Sequence, residues 1–222
     1  MDRIVMIGGK GSAIVVAEQI YDTQIKTGEV QFLGFAFDDK TMGDSINDFP
    51  ILCKTYEAYE KFKLDPEIKF LFQLYRPDLM RERIELLGRL EIPDERFCTF
   101  IHHSATVSRS AKIGRGTAIM ANTVINSNAV VGNHCTIHSN TLIGHDTKMG
   151  DYNFIAAHNV LGSSSEIGNG NFFGLNCTFN NYLKIGDFNF AGMASNVVKN
   201  LESCQKVYGN PAKEFSKMIK PL

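Results

Sequence analysis

From Ile101 onward every sixth residue is apolar. The series runs Ile101, Val107, Ile113, Ile119, Ile125, Val131, Ile137, Ile143, Met149, Ile155, Leu161, Ile167, Phe173, Phe179, Ile185, Ala191 and Val197, with no insertion breaking the phase. In a chain that is 44% hydrophobic, seventeen apolar residues in one register are not a chance event. Two residues before each of them the side chain is small or short and polar, Leu183 being the one departure. Glycine follows the apolar residue at 114, 132, 150, 168 and 186, eighteen residues apart each time. A period of six nested in a period of eighteen predicts a triangular coil with three short faces per turn. The large aliphatic residue fills the interior, the small one fits near a corner, and one corner repeatedly needs either glycine's conformational freedom or its lack of a side chain. Each coil buries its inner surface only by stacking on neighbours, so stability accumulates along the stack. Five to six coils at ~4.8 Å spacing make a prism roughly 25 Å tall.

The first hundred residues follow a different rhythm. Arg3–Ile7 is a short apolar strand ended by Gly8-Gly9-Lys10-Gly11. A helix is predicted over Ser12–Tyr21, a strand over Phe32–Phe37 closed by Asp38-Asp39, a helix over Thr55–Lys63, a strand over Lys69–Tyr75, and a helix over Pro77–Leu90 with proline in its first turn. This alternation predicts a small parallel α/β sheet, giving a Rossmann-like domain over residues 1–98 and a β-helix with a C-terminal tail over 99–222. The glycine turn either sets backbone N–H groups at a helix N-terminus as an anion site for a phosphate-bearing ligand or only makes a tight strand-to-helix turn. It is not a dinucleotide fingerprint, because the third glycine of G-x-G-x-x-G, counted from Gly9, falls at Ile14. Asp38 and Asp39 fall at the same sheet edge, where they either contact a sugar or base hydroxyl or simply end the strand.

Composition narrows the function. A net charge of −1 with no basic run gives no footprint for nucleic acid. No stretch approaches the ~20 apolar residues of a membrane span. The N-terminus has no signal-like character, and the five cysteines contain no CxxC pair, which makes the cytoplasm the natural compartment. Cys135 and Cys177 occupy small-residue slots of the repeat and read as packing.

Three stretches carry a family resemblance: Ile7-Gly8-Gly9-Lys10-Gly11-Ser12-Ala13, Ile143-Gly144-His145-Asp146 at a prism corner, and Gly209-Asn210-Pro211-Ala212-Lys213 after the last coil. With the small α/β domain before the prism, the chain resembles the sialic-acid-cluster and bacillosamine-type sugar acetyltransferases, which are left-handed β-helix enzymes. The resemblance implies an acetyl-CoA-dependent N-acetyltransferase, active as a homotrimer on a nucleotide-linked amino sugar. It departs at Ser12, where the family usually has a histidine implicated in base contacts. It departs again at Phe154, where the family often has a second histidine nine residues after the catalytic one.

Acetyl transfer to an amine needs a base of near-neutral pKa, and a carboxylate that holds its ring. His145, facing outward two residues past Ile143, with Asp146 beside it and Ser127 and Ser163 one coil below and above, fits that pair. His102 and His138 stack two coils apart, but the further histidine of a zinc pattern is replaced by Ile143, so no metal is expected. His103, His134 and His158 read as surface residues, and His138 as a residue lining the substrate groove. By position, Ser163, Gly174, Leu175, Met193 and Ala194 are candidates for the pantetheine arm of coenzyme A, with Asn210, Pro211 and Lys213 near its nucleotide end. Gly9, Lys10, Gly11, Ser12, Asp38 and Asp39 are candidates for the sugar nucleotide. An O-acetyltransferase would use the same histidine, and a non-catalytic β-helix assembly module would need neither His145-Asp146 nor the Gly209–Lys213 tail.

Overall fold

The structure is a computed structural model, and it describes residues 1–215 apart from Lys40 and Met42. The chain opens with β1 (Asp2–Ile7), α1 (Ser12–Thr27), β2 (Val30–Ala36), a short β3 (Ser45–Ile46), β4 (Phe49–Cys53), α2 (Ala58–Phe62), β5 (Ile68–Phe72) and α3 (Met80–Arg89). These strands form one sheet in the order β3-β4-β2-β1-β5. It is parallel throughout except for the β3–β4 hairpin.

Three details differ from the sequence expectation. Helix α1 runs to Thr27, where Gly28 in the left-handed region returns its N–H to Gln24. The β3–β4 hairpin carries no alternating pattern long enough to announce it. Helix α3 starts at Met80 and not at Pro77. Arg76 forks onto the Asp78 carboxylate, its Nε donating at 2.9 Å, and the Leu79 N–H closes a turn onto the Arg76 carbonyl, so these residues make a turn where a helical one was expected.

After Phe100 the chain winds as a three-sided prism. The first face carries strands from Phe100–Ile101 through Phe190–Ala191 to Lys206–Tyr208, closed by the antiparallel Lys213–Glu214. The second face stacks Thr106–Val107 to Asn196–Val197, and the third Lys112–Ile113 to Lys184–Ile185. From Phe100 to Val197 each strand is two residues long and pairs in parallel with the strand eighteen residues away, and the last coil closes sixteen residues on, where Phe190 pairs with Lys206. The second residue of each strand is the apolar member of the six-residue register. From Ile119 to Val197 all of these side chains are buried in one continuous core. The small residues earn their place by hydrogen bonding: Thr117 and Thr147 donate their hydroxyls at 2.8 Å to the carbonyls of Gly132 and Gly162 on the next coil.

The eighteen-residue glycines mark the corner between the third and first faces. Their role is close approach and not a left-handed backbone: a Cβ on Gly132 would lie 2.5 Å from the Gly150 carbonyl carbon. The left-handed positions of the repeat fall elsewhere, at residues such as Asn128, Asn140, Asp146 and Asn176, with φ near 60°. Asparagine and aspartate tolerate that conformation better than other non-glycine residues.

The α/β domain covers the first face. Phe100, Ala118 and Met120 join a cluster with Ile4, Phe35 and Val16, while Phe154 and Ala156 join one with Phe72, Leu86 and Leu87. This docking buries His134, which the sequence reading had placed on the surface. Its ring stands edge-on to Phe97 at 4.6 Å, stacks on Tyr152 at 5.6 Å, and fills space that any side chain on Gly116 would occupy. Burial lowers its pKa. His103 and His158 are exposed as expected.

Candidate functional site

Two places concentrate chemistry. The first is the corner between the second and third faces, where Gly144-His145-Asp146 turns. Gly144 is needed because a Cβ would lie 2.6 Å from the Ser163 nitrogen of the next coil. Tight stacking there pushes the following side chain outward: His145 is 58% exposed and Asp146 50%. The imidazole Nδ1–H donates to Asp146 Oδ2 at 2.7 Å, which leaves Nε2 with its lone pair toward solvent. Asp146 Oδ1 accepts from the Asn128 carboxamide of the coil below at 3.0 Å. The hydrogen bond from His145, then that from Asn128, holds the Asp146 carboxyl below the usual carboxylate range. An oriented ring with a free Nε2 is the arrangement a proton acceptor requires.

The second place is a cleft of about 680 Å³ in the α/β domain. It opens at the C-terminal ends of the parallel strands, the usual ligand edge of such sheets. Lys10 follows β1, Phe37, Asp38 and Asp39 follow β2, Thr55 and Tyr56 follow β4, and Gln73 to Arg76 follow β5, with Arg83 from α3 closing the wall. Lys10 pairs with Asp39 and holds that carboxyl far below its ordinary value. Asp38 accepts from the Thr55 N–H at 3.3 Å. The Nε of Arg83 is buried without a hydrogen-bond partner among the described residues.

Of the sequence candidates, Lys10, Asp38 and Asp39 line this cleft. Gly9 packs against Phe37, and Gly11 supplies a left-handed turn before α1. Ser12 turns toward the prism instead. Its hydroxyl meets His138 Nε2 at 2.9 Å and Gln73 Oε1 at 3.4 Å, while the Gln73 carboxamide reaches Thr136 at 2.9 Å. His138 therefore belongs to the joint between the two domains. Its ring lies against Phe154, and burial lowers its pKa to about 4. Phe154 itself is on the covered first face, away from the corner that carries His145.

Tyr56, Gln73, Arg76 and Arg83 were not anticipated. They come from separate segments with no shared motif. The one available signal was positional: the residues after β5 end at the same sheet edge as the glycine turn.

The coenzyme candidates divide between two corners. Ser163 stands one coil above His145. Gly174, Leu175, Met193 and Ala194 stand across the second face, at its corner with the first, where Leu175 and Met193 are exposed. The tail joins this latter group. Asn210 accepts from the Asn196 side chain at 3.2 Å, Ala212 donates to the Asn196 carbonyl, and Lys213 pairs with Tyr208. Pro211 sits in the same turn.

Among the described residues no helix is long and apolar enough to cross a membrane. The bacterial transferase hexapeptide family (six repeats) matches residues 110–145. No curated protein sequence matches the chain. Among solved structures, the acetyltransferase domain of PglB from Neisseria gonorrhoeae is 26% identical with a TM-score of 0.80, covering 97% of this chain and 100% of its own. A mutant of perosamine N-acetyltransferase from Caulobacter crescentus, in complex with CoA and GDP-perosamine, is 23% identical with a TM-score of 0.82, covering 98% of each chain. WeeI from Acinetobacter baumannii is 18% identical with a TM-score of 0.69, covering 97% of this chain and 100% of its own. The hexapeptide match and the whole-chain likeness together show that an α/β domain followed by a hexapeptide-repeat left-handed β-helix is the fold this chain shares with those acetyltransferases.

Proposed function

We propose that the protein transfers an acetyl group from acetyl-CoA to the amine of a nucleotide-linked amino sugar, with His145 as the general base. The carrying observation is the Asp146-held imidazole with its Nε2 free on an open corner. That nitrogen takes the proton the amine loses as it attacks the thioester carbonyl. Asp146 holds the ring and stabilises the imidazolium, and Asn128 holds Asp146. The 680 Å³ cleft takes the nucleotide, its size lying within the ~300–1,000 Å³ of small-molecule sites. Lys10, Arg76 and Arg83 offer charge to a diphosphate, and Asp38 and Asp39 offer acceptors to hydroxyl or ring N–H groups. The relatives favour nitrogen over oxygen as the acceptor, since one is a perosamine N-acetyltransferase with GDP-perosamine bound.

The geometry also supports a shared site. The nucleotide cleft lies in the domain that covers the first face, whereas His145 sits at the corner opposite that face. A sugar held in one subunit's cleft reaches a histidine most directly in a neighbouring subunit. The second face offers a surface for such a neighbour, with Val124, Leu142 and Val160 outward between Thr106 and Thr178. A closed homotrimer satisfies three such surfaces at once. Within it, Ser163 beside one subunit's His145 and Leu175, Met193, Ala194, Asn210, Pro211 and Lys213 of the next border one groove for coenzyme A. The division of labour falls near residue 98, and the five free cysteines suit a reducing cytoplasm.

The test is thiol release from acetyl-CoA with a panel of UDP-, dTDP- and GDP-linked amino sugars. His145→Ala lowers kcat by roughly 10²–10⁴-fold on the accepted sugar. A variant with near-wild-type kcat places the base elsewhere.

A further inference from the structure

Outside these two places a further set of metal-ligating side chains comes together among the described residues. Asp22 of α1 meets His102 and His103 at the corner between the first and second faces of the lowest coil. Asp22 Oδ2 lies 3.2 Å from His102 Nε2 and 3.6 Å from His103 Nδ1. One ligand atom from each of the three residues lies within 4.8 Å of the others. The sequence had paired His102 with His138, but in the fold His138 is held by Ser12, and His102 turns to Asp22 instead.

We propose that Asp22, His102 and His103 form a binding site for a divalent transition metal, zinc in the first instance, clipping α1 to the foot of the prism. Two imidazole nitrogens and a carboxylate oxygen are a zinc-type donor set. In a tetrahedral site with bonds of ~2.0–2.2 Å, ligand atoms lie about 3.4 Å apart, which two of the three separations already match. The remaining one closes by rotation of His103, whose side chain is partly exposed while that of His102 is buried. Ligands from a sixteen-residue helix and a hydrogen-bonded coil are rigidly based. Asp22, on the solvent side, leaves a fourth direction open to water.

An outer shell is present as well. Ser104 Oγ lies 2.9 Å from His102 Nδ1, the ring nitrogen turned away from Asp22, whereas the Thr23 hydroxyl, 3.4 Å from His103 Nδ1, gives that nitrogen up to the ion. Without metal, His102 Nδ1 accepts from the Ser104 N–H at 3.2 Å and Nε2–H donates to Asp22. Metal binding exchanges the tautomer. The proton moves from Nε2 to Nδ1, where Ser104 Oγ accepts it, and the freed Nε2 lone pair goes to the metal. No proton is gained or lost overall. The backbone donation from Ser104 is given up, and the ion takes over the contact between His102 and Asp22.

The experiment uses full-length, tag-free protein stripped with chelator and titrated with zinc by calorimetry, with cobalt(II) absorption reporting the geometry. Thermal melts with and without zinc complete it. The expected result is one ion per chain, a tetrahedral cobalt band, and a melting temperature raised by several degrees. All three are lost in His103→Ala and in Asp22→Asn, whose substituted side chains are outside the core. No saturable binding at micromolar zinc, or binding and melting shifts that persist unchanged in both variants, would overturn the proposal.

Discussion

His138 offers a measurable consequence of burying a titratable ring between two domains. In the folded chain it is neutral down to about pH 4, because burial disfavours the charged form. In the unfolded chain it titrates near the ordinary 6.5. Between those values the unfolded state binds more protons, so stability rises with pH across this window. The contribution is complete above pH 6.5 and is lost as the pH falls toward 4. At ~1.4 kcal/mol for each tenfold change in proton affinity, the loss between pH 7.5 and pH 4.5 is about 2.5 kcal/mol. His102 and His134 act in the same direction, both lowered by burial. Asp39, Asp78 and Asp146, whose pKa values are depressed, act below the window. The comparison that isolates His138 is therefore His138→Gln, which keeps a partner for the Ser12 hydroxyl and removes the titration. Urea unfolding at fixed protomer concentration, followed by circular dichroism at pH 7.5, 5.5 and 4.5, gives the difference. The wild type should lose about 2.5 kcal/mol more than the variant over that span. Parallel curves for the two proteins would refute the reasoning, since they would mean that the ring is already hydrated in the native joint.

Gly132→Ala tests the corner stacking. Its Cβ would meet Asp151 Oδ1 at 2.4 Å and the Gly150 backbone at 2.5 Å, so about 1–3 kcal/mol of stability should be lost, read as a lower melting temperature. Asn128→Asp replaces the donor to Asp146 with a second carboxylate. The acid limb of the kcat/KM profile should move to higher pH, and an unmoved limb would show that Asn128 has no hold on the pair. Co-expressed His145→Ala and Asp38→Ala chains, each weak alone, should regain about a quarter of wild-type activity by random assortment if cleft and base come from different subunits. No gain on mixing would place both on one chain.

The prism was legible because its information is strictly periodic: the buried series and the corner glycines survive any reasonable reading of the chain. His145 and Asp146 were legible for the same reason, since their place in the register dictates that they face outward. What lay hidden depends on contacts between distant segments. His134 has an ordinary corner position, and only the docked α/β domain buries it. Gln73 and Arg83 join Lys10 in one cleft because three strands end together and a helix returns over them, and no local pattern records that. The coenzyme candidates divide between two corners because a place in the six-residue register does not say which of the three corners a residue occupies.

Two moduli govern the prism. Burial depends on position modulo six, whereas direction depends on position modulo eighteen. An insertion of six residues just before Leu142 would leave every aliphatic residue pointing inward and the stack intact. It would nevertheless turn all that follows by a third of a revolution. His145 would move to the corner beside the α/β domain, and Phe154 and Phe172 would leave the face that domain covers. The scaffold can thus absorb insertions that its chemistry cannot. Viable length changes within the coil should come in whole turns of eighteen, each raising the stack by one strand spacing of ~4.8 Å without changing which way any residue faces.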